Sequence, residues 1–318
     1  FWIVAILITF FSCIDETFES NRGEGYLSIR LNSTTQSETR SLEGIQPGEY
    51  PDNIVRTLRV FAFDPNDNNK VISNVRYSII NSALDVVEHP ITLGTYNFVF
   101  LANEHIDTDL TGITHLSDLE SITYPQEAFA SDELIPMIQK ITNVEIVSNG
   151  QAILHAGMLN IHGIETLPPS DTPLDILTLK LDRLAVRLNV TLKSEFVLTD
   201  FDGIQISNLP IAVPLFRNGG TIAHDSGTFR SYLADEFTDV SGSGWEKQLF
   251  RIVLPASYAN SDQDALVLTA KFGGDQYSPS CKLAINVNDY NLPSKTWLGC
   301  EGIVKDPLEM NIKVKTWE

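Results

Sequence analysis

Residues 177–192 read LTLKLDRLAVRLNVTL, and their alternation decides the fold class. Leu177, Leu179 and Leu181 alternate with Thr178, Lys180 and Asp182. Leu184, Val186, Leu188, Val190 and Leu192 alternate with Ala185, Arg187, Asn189, Thr191 and Lys193. Successive side chains of a strand point to opposite faces, so each series reads as a strand with one buried face. The two series are out of phase by one residue, which predicts a bulge or a change of sheet near Asp182-Arg183.

The same period appears far upstream. In Tyr26–Asn32, Leu27, Ile29 and Leu31 share one face, and Ser28, Arg30 and Asn32 the other. Further strand-like runs lie at 57–63, 75–80, 95–102, 135–138, 144–147, 152–154, 204–207, 249–254, 265–272, 281–287 and 309–316. Asp64-Pro-Asn-Asp-Asn-Asn69 reads as a hairpin turn, not a calcium loop, because its sixth position is not Gly and its twelfth is Val75, not Glu. Residues 116–123 and 128–131 fit either helix or loop. Many short strands with few helical stretches predict an all-β chain of β-sandwiches. Residues 33–53 are a polar stretch with Thr, Ser, Glu, Gly and Pro and are expected to form a long loop. Pro168-Pro-Ser-Asp-Thr-Pro173 is the strongest internal linker or turn candidate, so domains are expected at 26–170 and 171–318.

The first residues, FWIVAILITFFS, carry no charge and end at Cys13. The run is shorter than the ~20 residues a spanning helix needs, and fits the apolar middle of a secretory signal peptide. With no initiating Met and no basic residues ahead of it, 1–12 is expected to be a signal peptide remnant. Ser12-Cys13 after an apolar run is a lipobox pattern, so Cys13 is expected to be the lipidated first residue of an exported lipoprotein. Palmitate-type acyl chains there would each contribute roughly 0.8 kcal/mol per buried CH₂, and more than one chain anchors stably. The alternative is an incidental Cys at the start of a buried helix. Polar residues 14–25 read as a tether.

The net charge is −19. Such a charge repels nucleic acid and anionic lipid head groups, which argues against a nucleic-acid partner. Besides Cys13 there are only Cys281 and Cys300. In an oxidising compartment they could bridge, closing a loop valued at about 3 kcal/mol in the chain-entropy model, or they could be two separately packed thiols. With no His pair nearby they make a poor zinc site.

Catalytic patterns are missing. His89, His105, His115, His155, His162 and His224 show no pair at the one-turn spacing of a zinc hydrolase. His224-Asp225-Ser226 holds triad residue types, but neighbours in one short loop cannot converge in a row. Ser241-Gly-Ser-Gly244 lacks the nucleophile-elbow frame, and no phosphate-cradling loop occurs. No metal, no cofactor and no enzyme activity are expected.

The order of segments carries a likeness. Its pieces are the lipobox at Cys13, Gly25-Tyr-Leu-Ser-Ile-Arg-Leu31, and the Ser/Thr-rich stretch ending in Thr39-Arg40. Next come Thr57-Leu-Arg-Val-Phe-Ala-Phe-Asp64, Tyr96-Asn-Phe-Val-Phe-Leu-Ala-Asn103 and Ile135-Pro-Met137. The last are Leu179-Lys-Leu-Asp-Arg-Leu-Ala-Val-Arg187 and Ile312-Lys-Val-Lys-Thr-Trp317. In this order the chain resembles the fimbrillin family of Bacteroidales, the subunits of type V pili, best before residue 195 and thinly from 200 to 300.

The resemblance implies two tandem transthyretin-like β-sandwich domains and passage to the outer membrane on a lipid anchor. It implies cleavage by an arginine-specific protease that frees the first strand, leaving a groove filled by a strand of another fimbrial subunit. That exchange is donor-strand complementation, a form of β-augmentation. Arg40 is then the expected cleavage site, since Arg22 precedes the strand and Arg30 lies within it. Leu27, Ile29 and Leu31 are the side chains that leave the groove. Stalk subunits of the family usually continue past the final Trp with a donor segment. Here the sequence runs to Trp317-Glu318, which leaves a shortened terminus, strand 309–316 as donor, or a tip or accessory subunit as alternatives. The expected function is a structural fimbrial subunit or tip or accessory adhesin, on the cell outer membrane and then in the fimbrium. The alternative is a surface glycan-binding lipoprotein, which Trp245 or Trp297 in loop-like sequence would serve.

Overall fold

The computed structural model describes residues 24–31, 54–80, 86–129, 134–160, 165–195, 198–216, 222–240, 244–286, 288–305 and 308–316. The expectations on residues 1–23 and 32–53, Cys13 and Arg40 among them, lie outside the described residues.

The first part of the chain carries β1 (Glu24–Leu31), β2 (Thr57–Asp64), β3 (Lys70–Ser78), β4 (Val86–Thr92) and β5 (Gly94–Ala102). A short helix α1 (Leu116–Glu120) and β6 (Thr123–Pro125) follow, then β7 (Met137–Ile146), β8 (Ala152–Leu154), β9 (Met158–Leu159) and β10 (Glu165–Leu167). β11 (Ser170–Leu174), β12 (Leu177–Leu179) and β13 (Asp182–Arg183) complete it. The second part carries β14 (Ala185–Ser194), β15 (Phe201–Ser207), β16 (Ala212–Pro214), β17 (Phe229–Leu233), β18 (Thr238–Asp239) and β19 (Trp245–Pro255). Then come β20 (Ser257–Tyr258), β21 (Val267–Phe272), β22 (Ser280–Lys282), β23 (Asn291–Leu292), β24 (Thr296–Ile303) and β25 (Glu309–Thr316). The chain is all-β, as the alternation predicts.

Two sheets build the first core. One has the order β12-β1-β4, and the other runs β11-β8-β7-β5-β2-β3 with β13 beside β7. Their inner faces meet in one apolar cluster: Leu27 and Ile29 of β1, Leu58 and Val60 of β2, and Phe98 and Phe100 of β5 are all in it. β2 reads as an almost unbroken apolar run because both its faces are covered. Phe61 and Phe63 point away from the first core, towards Leu116 and Leu119 of α1 and towards Tyr124 and Phe129. Of the ambiguous segments, residues 116–123 and 128–129 therefore cover the outer face of this sheet. The helix starts there because Asp118 Oδ2 accepts the backbone N–H groups of Thr114 at 3.0 Å and of His115 at 2.9 Å.

The second core lies between a sheet of order β18-β19-β14-β24-β25 and one of order β17-β15-β21-β22. β14 is central and buried on both sides, so its polar face is sequestered as well. Arg187 stacks over the Trp297 ring at 5.3 Å, and Asn189 Oδ1 accepts the N–H of Arg251 at 3.0 Å. That bond sits at a bulge in the β14–β19 ladder, where Arg251 has φ +64°.

The phase shift in the opening sequence has a physical cause. β12 pairs with β1, β13 with β7, and β14 with β19 and β24, so the chain passes through three sheets in 177–194. The Pro-rich stretch, read as a linker, contains an edge strand instead: β11 pairs with β8 through Ser170 and Leu174. Pro173 is tolerated because an edge strand has ladder groups with no partner to serve. Sheet membership changes between Arg183 and Ala185, not at 170–171. The two parts are also tied together. β6 pairs with β16, Arg230 donates to the carbonyls of Gln126 and Phe129, and the buried Lys295 ammonium meets the buried Asp182 carboxylate.

Candidate functional site

The first strand is the site that the sequence marks out. β1 is not an edge but the middle of its sheet. Glu24 to Arg30 pair antiparallel with Thr92 to Val86, and Ile29 to Leu31 pair parallel with Leu177 to Leu179. Leu27 and Ile29 are completely buried and Leu31 nearly so. On the other face Arg30 and Tyr26 are exposed, and Ser28 donates to the Glu88 carboxylate at 2.8–2.9 Å. Each inward side chain contributes roughly 1.5–3 kcal/mol through its burial, so the three together amount to a large share of a domain's ~5–15 kcal/mol stability.

Beside this strand the largely apolar core holds a polar pair. His89 of β4, opposite Leu27 in the ladder, is fully buried, and its Nδ1 lies 2.8 Å from the Tyr77 hydroxyl. Burial lowers the His89 pKa to about 4. At the start of β1, Gly25 passes under the loop between β7 and β8, where Gly150 touches it. Removing β1 would strip the ladder partners from β4 on one side and β12 on the other. It would also open the Leu27, Ile29 and Leu31 positions to water.

Cys281 and Cys300 are free thiols in the structure, half-buried on β22 and buried on β24. Burial raises both, Cys281 to about 11 and Cys300 to about 12. Among the described residues no group of three or more His, Cys, Asp or Glu is arranged to hold a metal ion.

Residues 26–171 match the family model of the major fimbrial subunit protein, FimA. The match starts within β1 and ends at the beginning of β11, short of β12 and β13. Over these residues the chain is fimbrillin-type.

Solved structures share the fold of this chain along nearly its whole length. The tip fimbrial protein Mfa3 from Porphyromonas gingivalis, with a C-terminal truncation, superposes with a TM-score of 0.59 at 14% identity, covering 93% of this chain and 99% of that one. A candidate cell adhesion protein from Parabacteroides distasonis gives 0.56 at 12% identity, covering 93% and 97%. Another from Bacteroides eggerthii gives 0.56 at 13%, with the same coverage. Among curated proteins, no sequence relative matches the chain.

The two tryptophans read as loop residues stand in strands. Trp245 opens β19 and is buried against Phe201 and Phe272, with ring centroids 5.5 and 5.9 Å away. Trp297 lies in β24 beneath Arg187. Trp245 is thus packed in the second core and one face of Trp297 is covered by Arg187, so neither stands in an open loop. His224 does meet a serine, but a distant one: its Nε2 lies 3.0 Å from the hydroxyl of Ser257, which is fully buried. Its Nδ1 is 3.2 Å from the Ile222 carbonyl, not a carboxylate. A sealed hydroxyl cannot attack a substrate, so this pair is a packing contact. Sequence reasoning missed His89 and Gly150. A lone His in a strand gives no signal of depth, and a Gly in Ser-Asn-Gly reads as an ordinary turn.

Proposed function

We propose that this chain is a structural, non-enzymatic fimbrial subunit or a tip or accessory adhesin of the cell surface. It is exported as a lipoprotein anchored through Cys13 in the outer membrane. It is cut after Arg40 by an arginine-specific protease and assembled with other fimbrial subunits by donor-strand complementation. Two transthyretin-like sandwiches in tandem, meeting between Arg183 and Ala185, form its body.

One observation supports this reading above the others. The strand that would be exchanged is central in its sheet and carries three core side chains, yet residues 32–53 separate it from the next described strand. A cut in that segment leaves β1 held by noncovalent contacts alone. The emptied seat would be unstable, with two unpaired ladder edges and a missing apolar row. A strand from another subunit restores both, and main-chain bonds and alternate side chains then supply affinity and specificity.

The test is assembly. Protein nicked at Arg40 should form ladders that resist SDS, whereas Arg40→Ala should be secreted normally and stay monomeric. Ladders formed equally by the uncleavable variant would sink the proposal.

A further inference from the structure

The seat of β1 has a steric feature at its entrance. The loop between β7 and β8 folds over the strand at Gly25 and Tyr26. Asn149 and Gly150 are both left-handed there, with φ +69° and +73°. A Cβ built on Gly150 would lie 2.2 Å from the Tyr26 carbonyl oxygen and 2.8 Å from its carbonyl carbon. A Cβ built on Gly25 would lie 3.1 Å from Gly150 Cα and 3.2 Å from Gly150 N. Both obstacles are backbone, which cannot swing aside as a side-chain tip can. Gly150 is buried, and the loop is pinned at its base, with Val147 N–H donating to Gln151 O at 2.9 Å and Gly150 N–H to Val147 O at 3.1 Å. The crossing is therefore a fixed contact between two backbones, made possible because neither residue has a side chain.

We propose that this crossing sets which strands the groove accepts. Running in the direction of β1, the accepted strand carries glycine two residues before the first of three alternating apolar residues. β1 itself fits, with Gly25 ahead of Leu27, Ile29 and Leu31. The inference rests on the strand-exchange reading and adds a sequence rule to it. Three alternating apolar residues are a weak filter, since most half-buried strands have them. A required glycine is a stronger one. The rule has an immediate consequence within this chain. β25 offers Met310, Ile312 and Val314 at alternate positions, but Leu308 then stands where Gly25 stands. Shifting β25 to place Ile312, Val314 and Thr316 puts Met310 there. In the direction of β1, β25 is thus a poor occupant of the groove, and a strand of another sequence is favoured.

The test uses the full chain with a site-specific protease sequence inserted between residues 33 and 50, nicked, then challenged with labelled synthetic peptides. The probes are the nonapeptide of residues 24–32, the same peptide with Gly25→Val, and a shorter one beginning at Leu27. The nonapeptide should displace β1, and the valine peptide should bind at least about tenfold more weakly, the overpacking expected at a rigid contact. Equal binding of these two would overturn the glycine rule while leaving strand exchange standing. If the unaltered nonapeptide fails to enter, strand exchange itself falls and the rule with it. Gly150→Ala supplies the second arm. It should weaken the nonapeptide and spare the shorter peptide, which does not reach the crossing. Equal weakening of both would place its effect in the general fold and overturn the rule.

Discussion

The Tyr77 hydroxyl lies 2.8 Å from Nδ1 of His89, a polar pair beside the first core, whose apolar row β1 completes. In the folded chain burial holds His89 neutral until about pH 4, whereas an unfolded histidine takes a proton near its ordinary value of 6.5. The unfolded state therefore binds more protons between these values. The contribution of neutral burial is complete above about pH 6.5 and is lost progressively as the pH falls towards 4, by an amount on the order of 3 kcal/mol. Urea denaturation of the wild type and of His89→Gln between pH 7 and pH 4 should show the wild type losing more stability, the excess being confined to that window. Parallel curves would refute it.

A second buried pair binds the two parts of the molecule. Lys295 Nζ meets Asp182 Oδ1, with 6% and 1% of the side chains exposed. Asp182 belongs to β13, on the seven-stranded sheet, and Lys295 immediately precedes β24 of the second core. Removing one partner strands the other charge away from water, a loss of about 3–5 kcal/mol. Lys295→Ala should show that loss in denaturant unfolding. A loss under about 1 kcal/mol would mean that water reaches the pair.

These pairs mark the limit of what the sequence discloses. Period-two alternation gave β1, β12 and β14 nearly residue by residue, because each sets an apolar row against a core. β4 escaped notice, since Val86-Val-Glu-His-Pro-Ile-Thr92 hides its inward His89 among polar letters. β24 escaped because Gly299 and Gly302 read as loop, though Gly302 lies close to Leu192, whose Cδ2 would be 2.8 Å from an added Cβ. β7 was broken in two by Gln139, Lys140 and Asn143. It is one strand with Asn143 at φ +56°, whose N–H donates to the Asn97 side chain at 2.9 Å. Which strands neighbour one another is a long-range matter. Nothing local in Leu177-Thr-Leu179 announces that it runs parallel to β1. β1 was legible as a pattern, but its neighbours and the crossing at Gly150 were not.

Cys281 and Cys300 should behave as inert thiols at neutral pH. The thiolate is the reactive form, and burial keeps both protonated far above that range. In Cys13→Ala protein, intact mass after alkylation at pH 8 should show little labelling of the native state and two labels after unfolding without reductant. Failure to label the unfolded chain would reveal a bridge in its place.

Cys13 is expected to carry acyl chains. Growth with a palmitate analogue should label the full-length chain and not Cys13→Ala, and the variant should leave the membrane fraction. Equal labelling of both would remove the anchor from the proposal.

The energetic weight of β1 can be measured without cutting the chain. Ile29 is completely buried in the first core, between Val87 on one neighbouring strand and Leu177 on the other. Ile29→Ala removes apolar surface and leaves a cavity, which should cost about 2–5 kcal/mol. Arg30, one residue on, points outward and is exposed, so Arg30→Ala should change stability by less than about 0.5 kcal/mol. Amide exchange adds a spatial readout. Because β1 is hydrogen-bonded on both sides, its amides should be protected in the intact chain as strongly as those of β5. In Ile29→Ala they should exchange faster than those of β5, as the strand leaves its seat more often than the domain unfolds. In a chain cut between β1 and β2 the gap should widen further, since a strand that leaves is no longer tethered. Equal acceleration in β1 and β5 would mean that the strand leaves only when the whole sandwich opens. Exchange of one strand for another would then have to pass through the unfolded domain, and a folded subunit could not accept its neighbour.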